Sequence, residues 1–412
     1  MRLVYITPCT PCEDNINGPS AHPFHLMVER DKDIEVIFYT FNTNFLSKER
    51  IEQVEKELNA TIKVMKLPRW YKWVMKYKLQ WLRALIPYPF LYYLKLNKAT
   101  VEEIKALKPD GIGTYCSESS QIIKQFPGYR RVHMLPDCVS LYYHRMMEQR
   151  FVLSDKKMFF KQWIMYPKFV RLERNYENDP SVRYYLVGDA DAARLRAVNP
   201  GIDAHFVHHP HYEVFKPEKV IKFEQPRIRL VLAGKHDLYM AQTADEVVEA
   251  LCGVDDLQAH YHITFLGRGW NAAAKRLTEH GYDVETKGFV KDYKAELVKH
   301  DIQLTPITIG TGTKGKVLDA LANGLLVIGT YYAMENIAVE DGVSCITFDD
   351  CDRLLEVLRD IPTRVSHYEA IAEAGRQAMF THHDRALISR IYFSLYSPTG
   401  GPHADYADLL SE

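Results

Sequence analysis

The sequence predicts an α/β protein of two doubly wound domains, each built around a parallel β-sheet. Three observations lead there. Short apolar runs alternate with helical stretches along nearly the whole chain, which is the pattern of βαβ units. At 412 residues the chain exceeds what one hydrophobic core usually supports. A polar, Pro/Lys-rich interruption after Pro210 separates two such alternating sets.

The first set has apolar strands at 3–6, 34–39, 61–65, 111–114, 132–135 and 184–187, with helices such as 47–58 and 100–107 between them. It makes a first domain of residues 1–209. Residues 210–226, which include Phe215-Lys216-Pro217-Glu218, read as a linker. Strands at 228–233, 263–266, 284–286, 302–305, 326–329 and 345–348 then give a second domain of 227–367. The helical stretch 368–396 is expected to return to the first domain, and 397–412, with Pro, Gly and acids, to form a loose tail. Sheets of this kind hold ligands beyond the carboxyl ends of their strands.

The most informative stretch is 304–342, LTPITIGTGTKGKVLDALANGLLVIGTYYAMENIAVEDG. An apolar strand runs into a turn containing Gly310 and Gly312, where the backbone can take positive φ or approach a ligand closely. The next eight residues, 314–321, read as a helix with Val317, Leu318 and Leu321 on its apolar side. Asn323-Gly324 stops it, and a buried strand ends at Gly329. A glycine turn opening a helix aims unpaired N–H groups and the positive helix end at one point. With Lys314 beside it, that point suits a diphosphate. A cation at a helix N-terminus is otherwise mildly unfavourable, so its place after two glycines favours a functional role over a solvated one. Asp319, further along the helix, is placed to accept hydrogen bonds from sugar hydroxyls or else is a surface residue.

These residues resemble the donor-binding element of retaining glycosyltransferases with the GT-B fold, in the family four group. The nearest pattern is that of a bacterial sugar-transferase subgroup that writes GTGTK-x-K-V-L-E-A here, with Asp319 standing for its Glu. The resemblance implies two facing Rossmann-like domains, a C-terminal helix crossing back to the first, and a nucleotide-sugar diphosphate on the glycine turn. Weaker matches follow in order: Asn17-Gly18-Pro19-Ser20 after the first strand, 184–193, the F-x-P end of 209–217, 229–235, Phe265-Leu266-Gly267-Arg268-Gly269, and Lys287-Gly288-Phe289-Val290. It implies Lys235 and Lys314 as the cations facing the departing diphosphate. Gly18, Arg268, Gly310, Thr311, Gly312, Thr313, Asp319 and Glu335 are the remaining donor contacts. The wider family has a Glu where this chain has Thr311, and a second basic residue where it has Met240; Lys314 or Arg268 is the expected substitute for the latter.

On the acceptor side, 132–140 (VHMLPDCVS) is a strand end entering a loop. Asp137 matches an acidic residue of the same subgroup and is a candidate catalytic contact, or alternatively a cap for the helix that follows. His133 is either a second candidate or a satisfied core group. Retaining transfer without a covalent intermediate lets the leaving phosphate take the acceptor proton, so no nucleophile–base pair is required. No metal is expected, because basic residues and the helix end stabilise the departing charge.

Net charge of −1 argues against a whole-surface nucleic-acid or membrane binder. Seven irregularly spaced cysteines suggest a reducing compartment. The N-terminus lacks the organisation of a secretory signal and no apolar run reaches spanning length, so a cytoplasmic location is expected. Cys9-Thr10-Pro11-Cys12 lacks a second C-x-x-C, and His205, His208, His209 and His211 lack a completing carboxylate pattern apart from Glu213. Neither is read as a metal or redox centre.

The stretch from Leu58 to Val101 contains no acid. As one helix over 69–85, it sets Arg69, Lys72, Lys76 and Arg83 opposite Trp70, Trp73, Val74, Tyr77, Trp81 and Leu85. That arrangement suits an anionic membrane surface, or an aromatic face packed on the sheet; no nucleic-acid reader is recognised. The expected function is sugar transfer from a nucleoside diphosphate donor to a glycan or lipid-linked acceptor, at the inner membrane face if 69–85 attaches there. The rivals are a glycosyltransferase-like binding module without catalysis and a nucleotide-sugar epimerase.

Overall fold

The computed structural model describes residues 1–13, 18–149, 152–153, 155–212, 214–215, 220–223 and 226–397. Two compact units result: Met1–Pro210 joined by the chain from Arg385 onward, and His211–Asp384. Asn17, Glu213, Lys216, Pro217 and Glu218 fall outside the described residues, as does the tail beyond Ser397.

The first unit holds a seven-stranded parallel sheet of β1 (Arg2–Thr7), β2 (Glu35–Thr40), β3 (Thr61–Val64), β4 (Gly111–Tyr115), β5 (Arg130–Leu135), β6 (Val182–Leu186) and β7 (Ala204–Phe206), in the order β3-β2-β1-β4-β5-β6-β7. β1, β2 and β4 are buried along nearly their whole length, which explains their continuous apolar runs. Helix Lys48–Leu58 buries Ile51, Val54 and Leu58, spaced as one face, and its N-cap Ser47 accepts from the Arg50 N–H.

The second unit holds six parallel strands, β8 (Ile228–Ala233), β9 (Tyr261–Leu266), β10 (Asp283–Lys287), β11 (Ile302–Thr305), β12 (Leu326–Gly329) and β13 (Ile346–Thr347), ordered β10-β9-β8-β11-β12-β13. Two hydrophobic clusters sandwich this sheet, one including Leu230, Ile263, Phe265 and Ile302, the other Val231, Val317, Leu321 and Val327.

Two expectations are corrected. Helix Val365–His382 does not return to the first unit: Ile371 and Ala372 join one core cluster of the second unit and Met379 the other. Gly375 lies so close to Leu321 that a Cβ would crowd it. Among the described residues of this stretch, helix Arg385–Ser394 is the one that joins the first unit, with Leu387, Ile388 and Ile391 in its core. The second correction concerns 69–85, which is not one helix. Helix Arg69–Lys76 stops, Lys78 takes φ +52°, and a 3-10 helix covers Leu79–Ala84. A short helix with an uncapped Pro68 start and no buried residue has little to propagate it. For the same reason the packed-face alternative for Arg69–Lys76 fails.

Candidate functional site

Strand order in the second unit reverses between β8 and β11, the position where doubly wound sheets hold ligands. After β8, Gly234-Lys235-His236 lies against Gly267-Arg268-Gly269 after β9. The Gly234 N–H donates to the Leu266 carbonyl at 2.8 Å, and the His236 N–H to the Arg268 carbonyl at 2.9 Å. Gly267 sits at φ +146°, and a Cβ there would overlap the Gly234 carbonyl, so only glycine fits. Trp270 Nε1 fixes that carbonyl from the core at 2.8 Å. Lys235 and Arg268 are both exposed on this loop pair.

Loop 306–314, after β11, is fastened from both sides. The Thr308 N–H donates to the Tyr239 carbonyl at 2.8 Å, and the Thr308 and Thr243 hydroxyls lie 3.1 Å apart. Thr330 Oγ1 donates to the Ile307 carbonyl at 2.7 Å, and Asn336 Nδ2 to the Gly312 carbonyl at 2.9 Å. Helix Gly315–Ala322 begins here, with Lys314 as N-cap and no side-chain cap.

The ammonium of Lys314 donates to the carbonyls of Thr311 and Gly312 at 2.9 and 3.0 Å. It therefore binds the loop itself, and Gly310 leaves the space its stem occupies. Met240 is buried in the core, with its Cε 3.3 Å from the point where a Gly234 Cβ would lie. Lys316 Nζ reaches the same point at 3.5 Å. Lys316 thus brings an ammonium beside the place Met240 leaves uncharged, a role the sequence had assigned to Lys314 or Arg268. Its ammonium also lies 5.9 Å from the Tyr293 ring centroid. Its pKa is below the ordinary lysine value because desolvation outweighs the stabilising charges of Asp319 and Asp237.

Asp319 is on the expected helix but only 1% exposed. It is not a surface residue. Burial, and after it the Asp319 charge, hold the Tyr212 and Tyr293 hydroxyls well above their ordinary pKa. Tyr293 Oη finds no hydrogen-bond partner among the described residues. Thr313 is half-buried in the loop, and Glu335 is buried at the end of helix Tyr331–Met334.

In the first unit the order reverses between β1 and β4. Gly18 begins helix Gly18–Met27. Cys116 follows β4 with φ +66°, and burial raises the pKa of the nearby Glu118. Asp137 is half-buried after β5 and is not the helix cap. Cys138 is the cap residue of Val139–Glu148, and its N–H and that of Ser140 go to Asp191 and Glu173 at 2.8 and 3.0 Å.

His133 is a core group, with Nδ1 2.5 Å from Thr114 Oγ1 and its pKa lowered by burial to about 3. His22 stacks on His209 at 3.9 Å and lies 3.3 Å from the Tyr115 hydroxyl. Burial lowers both histidines, His209 to about 4.

Cys9 and Cys12 are buried and separately engaged, by Thr43 at 3.2 Å and Arg50 at 3.4 Å. His205 pairs with Asp203 at 2.5 Å. No group of three His, Cys, Asp or Glu that could hold a metal occurs among the described residues. Sequence reasoning missed Lys316, although its K-x-K spacing from Lys314 was visible, and Glu118, for which only its strand-end position spoke.

Residues 227–361 match the family model described as glycosyl transferases group 1. No curated protein sequence matches the chain. Among solved structures, Anabaena HepE in complex with UDP superposes with a TM-score of 0.59 at 12% identity, covering 95% of this chain and 98% of that one. WaaG, a glycosyltransferase involved in lipopolysaccharide biosynthesis, gives 0.60 at 15%, covering 97% and 100%. Sucrose-phosphate synthase from Thermosynechococcus elongatus gives 0.61 at 12%, covering 96% and 98%. Residues 227–361 therefore form a domain of the glycosyl transferases group 1 type, and the chain as a whole has the two-domain GT-B architecture of these structures.

Proposed function

We propose that the protein is a retaining, metal-independent glycosyltransferase of the family four type that moves a sugar from a nucleoside diphosphate to a glycan or lipid-linked acceptor. One observation carries this reading. Two glycine loops and the start of helix Gly315–Ala322 meet where β8 and β11 diverge, with Lys235, Lys314 and Lys316 on the same strand ends. Backbone N–H groups, a helix N-terminus and ammonium groups stabilise the charge that develops on a departing diphosphate. HepE, on the same fold, is seen with UDP.

In this reading Lys314 shapes the loop, and Lys316 supplies the charge that Met240 lacks. Thr311, Gly312 and Thr313 present backbone groups to the phosphates, with Arg268 beside them. Asp319 accepts from ribose hydroxyls, exchanging its tyrosine surroundings for the nucleoside, and Glu335 lies toward the sugar. Asp137 contacts the acceptor or the transferred sugar. The acceptor is presented at the cytoplasmic face of a membrane to which residues 69–85 attach, and polysaccharide assembly is the fitting role.

The binding-module alternative is favoured by Thr311 and Met240, which replace an acid and a base of the wider family. Incubation with a panel of nucleotide sugars separates the readings. Release of nucleoside diphosphate that persists in chelator, with the anomeric configuration of the donor kept in the product, is the expected result. Tight binding without turnover against glycan and lipid acceptors supports the module instead. Inverted configuration, or activity restored only by a divalent ion, overturns the mechanism.

A further inference from the structure

A second acid-free segment lies in the first unit. Residues 156–172, KKMFFKQWIMYPKFVRL, run between Asp155 and Glu173 with no acid and five basic residues. Asp155 is engaged as N-cap, accepting from the N–H groups of Lys157 and Met158, where the helix end offsets its charge. Lys156, Lys157 and Lys161 are exposed. Phe160 and Trp163, each 57% exposed, stack on one another with centroids 5.7 Å apart. A stacked aromatic pair facing solvent has no role in this unit's core.

The fold joins this helix to the first acid-free segment. The buried Lys168 donates to the Ala84 carbonyl at 3.0 Å and also to the Ile86 carbonyl. Arg171 donates to the Pro87 carbonyl at 3.1 Å, and Asn175 to the Tyr88 hydroxyl at 3.1 Å. These bonds hold the end of 3-10 helix Leu79–Ala84 against helix Lys156–Arg174. On the first segment Trp73 and Trp81 are 63% and 61% exposed, among the exposed Arg69, Lys72 and Lys76.

We infer that the two segments form one composite surface that docks on an anionic lipid bilayer. This extends the attachment proposed for 69–85 by a second, separately testable element. Charge complementarity selects the occupant, because exposed lysines and exposed large apolar side chains alternate along both segments and neither segment carries an acid. Exposed tryptophan and phenylalanine among lysines match the headgroup boundary, where rings bury and ammonium groups reach lipid phosphates. Aromatic side chains of nucleic-acid channels instead line a groove that tracks a strand.

The test is co-sedimentation of the full chain with phosphatidylcholine vesicles, with and without phosphatidylglycerol. Two double variants are compared, Phe160→Ser/Trp163→Ser and Trp73→Ser/Trp81→Ser, with melting curves to show that both remain folded. The inference expects binding to anionic vesicles only, falling with salt, and a loss of roughly tenfold or more in each variant. Wild-type binding that survives Phe160→Ser/Trp163→Ser overturns the composite surface but leaves 69–85 as the sole anchor. No wild-type binding overturns both, as does equal binding to neutral vesicles. Binding to a single-stranded oligonucleotide in place of vesicles overturns the lipid assignment. None of these readouts depends on sugar transfer, so the catalytic proposal stands or falls separately.

Discussion

The two units place ligand-facing loops at equivalent points, where strand order reverses between β1 and β4 and between β8 and β11, yet they equip those points with opposite chemistry. The second unit uses glycines, backbone amides, hydroxyls and lysines, held by loop-to-loop hydrogen bonds. The first uses side chains whose charged forms burial disfavours: His22 and His209 stacked on each other, and Glu118 with its pKa raised. One set of loops suits charge, the other disfavours it. In the proposed reaction the diphosphate takes the first and the hydroxyl acceptor the second.

The largest effect that would break this contrast is expected at Gly267. A Gly267→Ala change forces a Cβ into the Gly234 carbonyl at a φ that side chains avoid. Stability should fall by about 3 kcal/mol or more, and nucleotide binding should disappear. Thermal melting and calorimetry with UDP and GDP check this. A variant with wild-type melting and affinity would show that the paired loops after β8 and β9 are not a built site.

Buried histidines give the next effect, and it separates the units. In the first unit His133 and His209 have folded pKa values of about 3 and 4 against 6.5, and His22 is lowered as well. Between those values and 6.5 the unfolded chain binds protons that the folded chain does not. Stability therefore falls as pH drops through 6.5, by about 2 kcal/mol per such histidine at pH 5. In the second unit His300 is lowered in the same way, to about 4. Hydrogen exchange at pH 7 and pH 5 should show the greater loss of protection within residues 1–210. Equal loss in 211–384 would mean that the histidines do not set the acid response.

Lys316 and Lys314 sharpen the donor side. Lys316→Ala should weaken nucleoside diphosphate binding by about 1–3 kcal/mol, the scale of one charge-assisted hydrogen bond, with little change in melting. Lys314→Ala should cost a similar amount of affinity and also loosen the loop, because its ammonium ties two carbonyls. Faster exchange of the 310–313 amides would report that loosening. If Lys316→Ala binds as wild type, Met240 has no charged substitute and the binding-module reading gains.

The strands were legible because fully buried parallel strands are continuous apolar runs, as in LVYI after Arg2 or LVI before Gly329. The glycine turn and the helix after it were legible because Gly310 and Gly312 serve close approach and turning, which sequence spacing encodes, whereas the tie of the Lys314 ammonium to the loop carbonyls was not. The burial of Asp319 was less so, although Val317, Leu318, Ala320 and Leu321 already surround it on a helix with little polar surface. The break at Lys78 and the placement of Val365–His382 depend on tertiary partners, which periodicity does not name. The strand ends where order reverses in the first unit were least legible. Glu118 and His22 act through burial and stacking between distant segments, and neither has a spacing to read.

Thr311 is where the smallest effect is expected, and where the contrast between a backbone site and a side-chain site is tested most directly. Its carbonyl accepts from Lys314 at 2.9 Å, so the residue already serves the loop through its backbone. If the donor loop works by amides and carbonyls, Thr311→Ala keeps every such group and should change donor affinity by less than about 0.5 kcal/mol, the range of substitutions that touch no special feature. If the hydroxyl instead contacts the transferred sugar, the variant should lose about 1 kcal/mol, the usual net contribution of one hydrogen bond. The loss would then appear with the nucleotide sugar and not with the nucleoside diphosphate alone. Calorimetry with both ligands separates the cases. A loss confined to the sugar nucleotide would make the second unit's loop a side-chain reader as well as a backbone cradle.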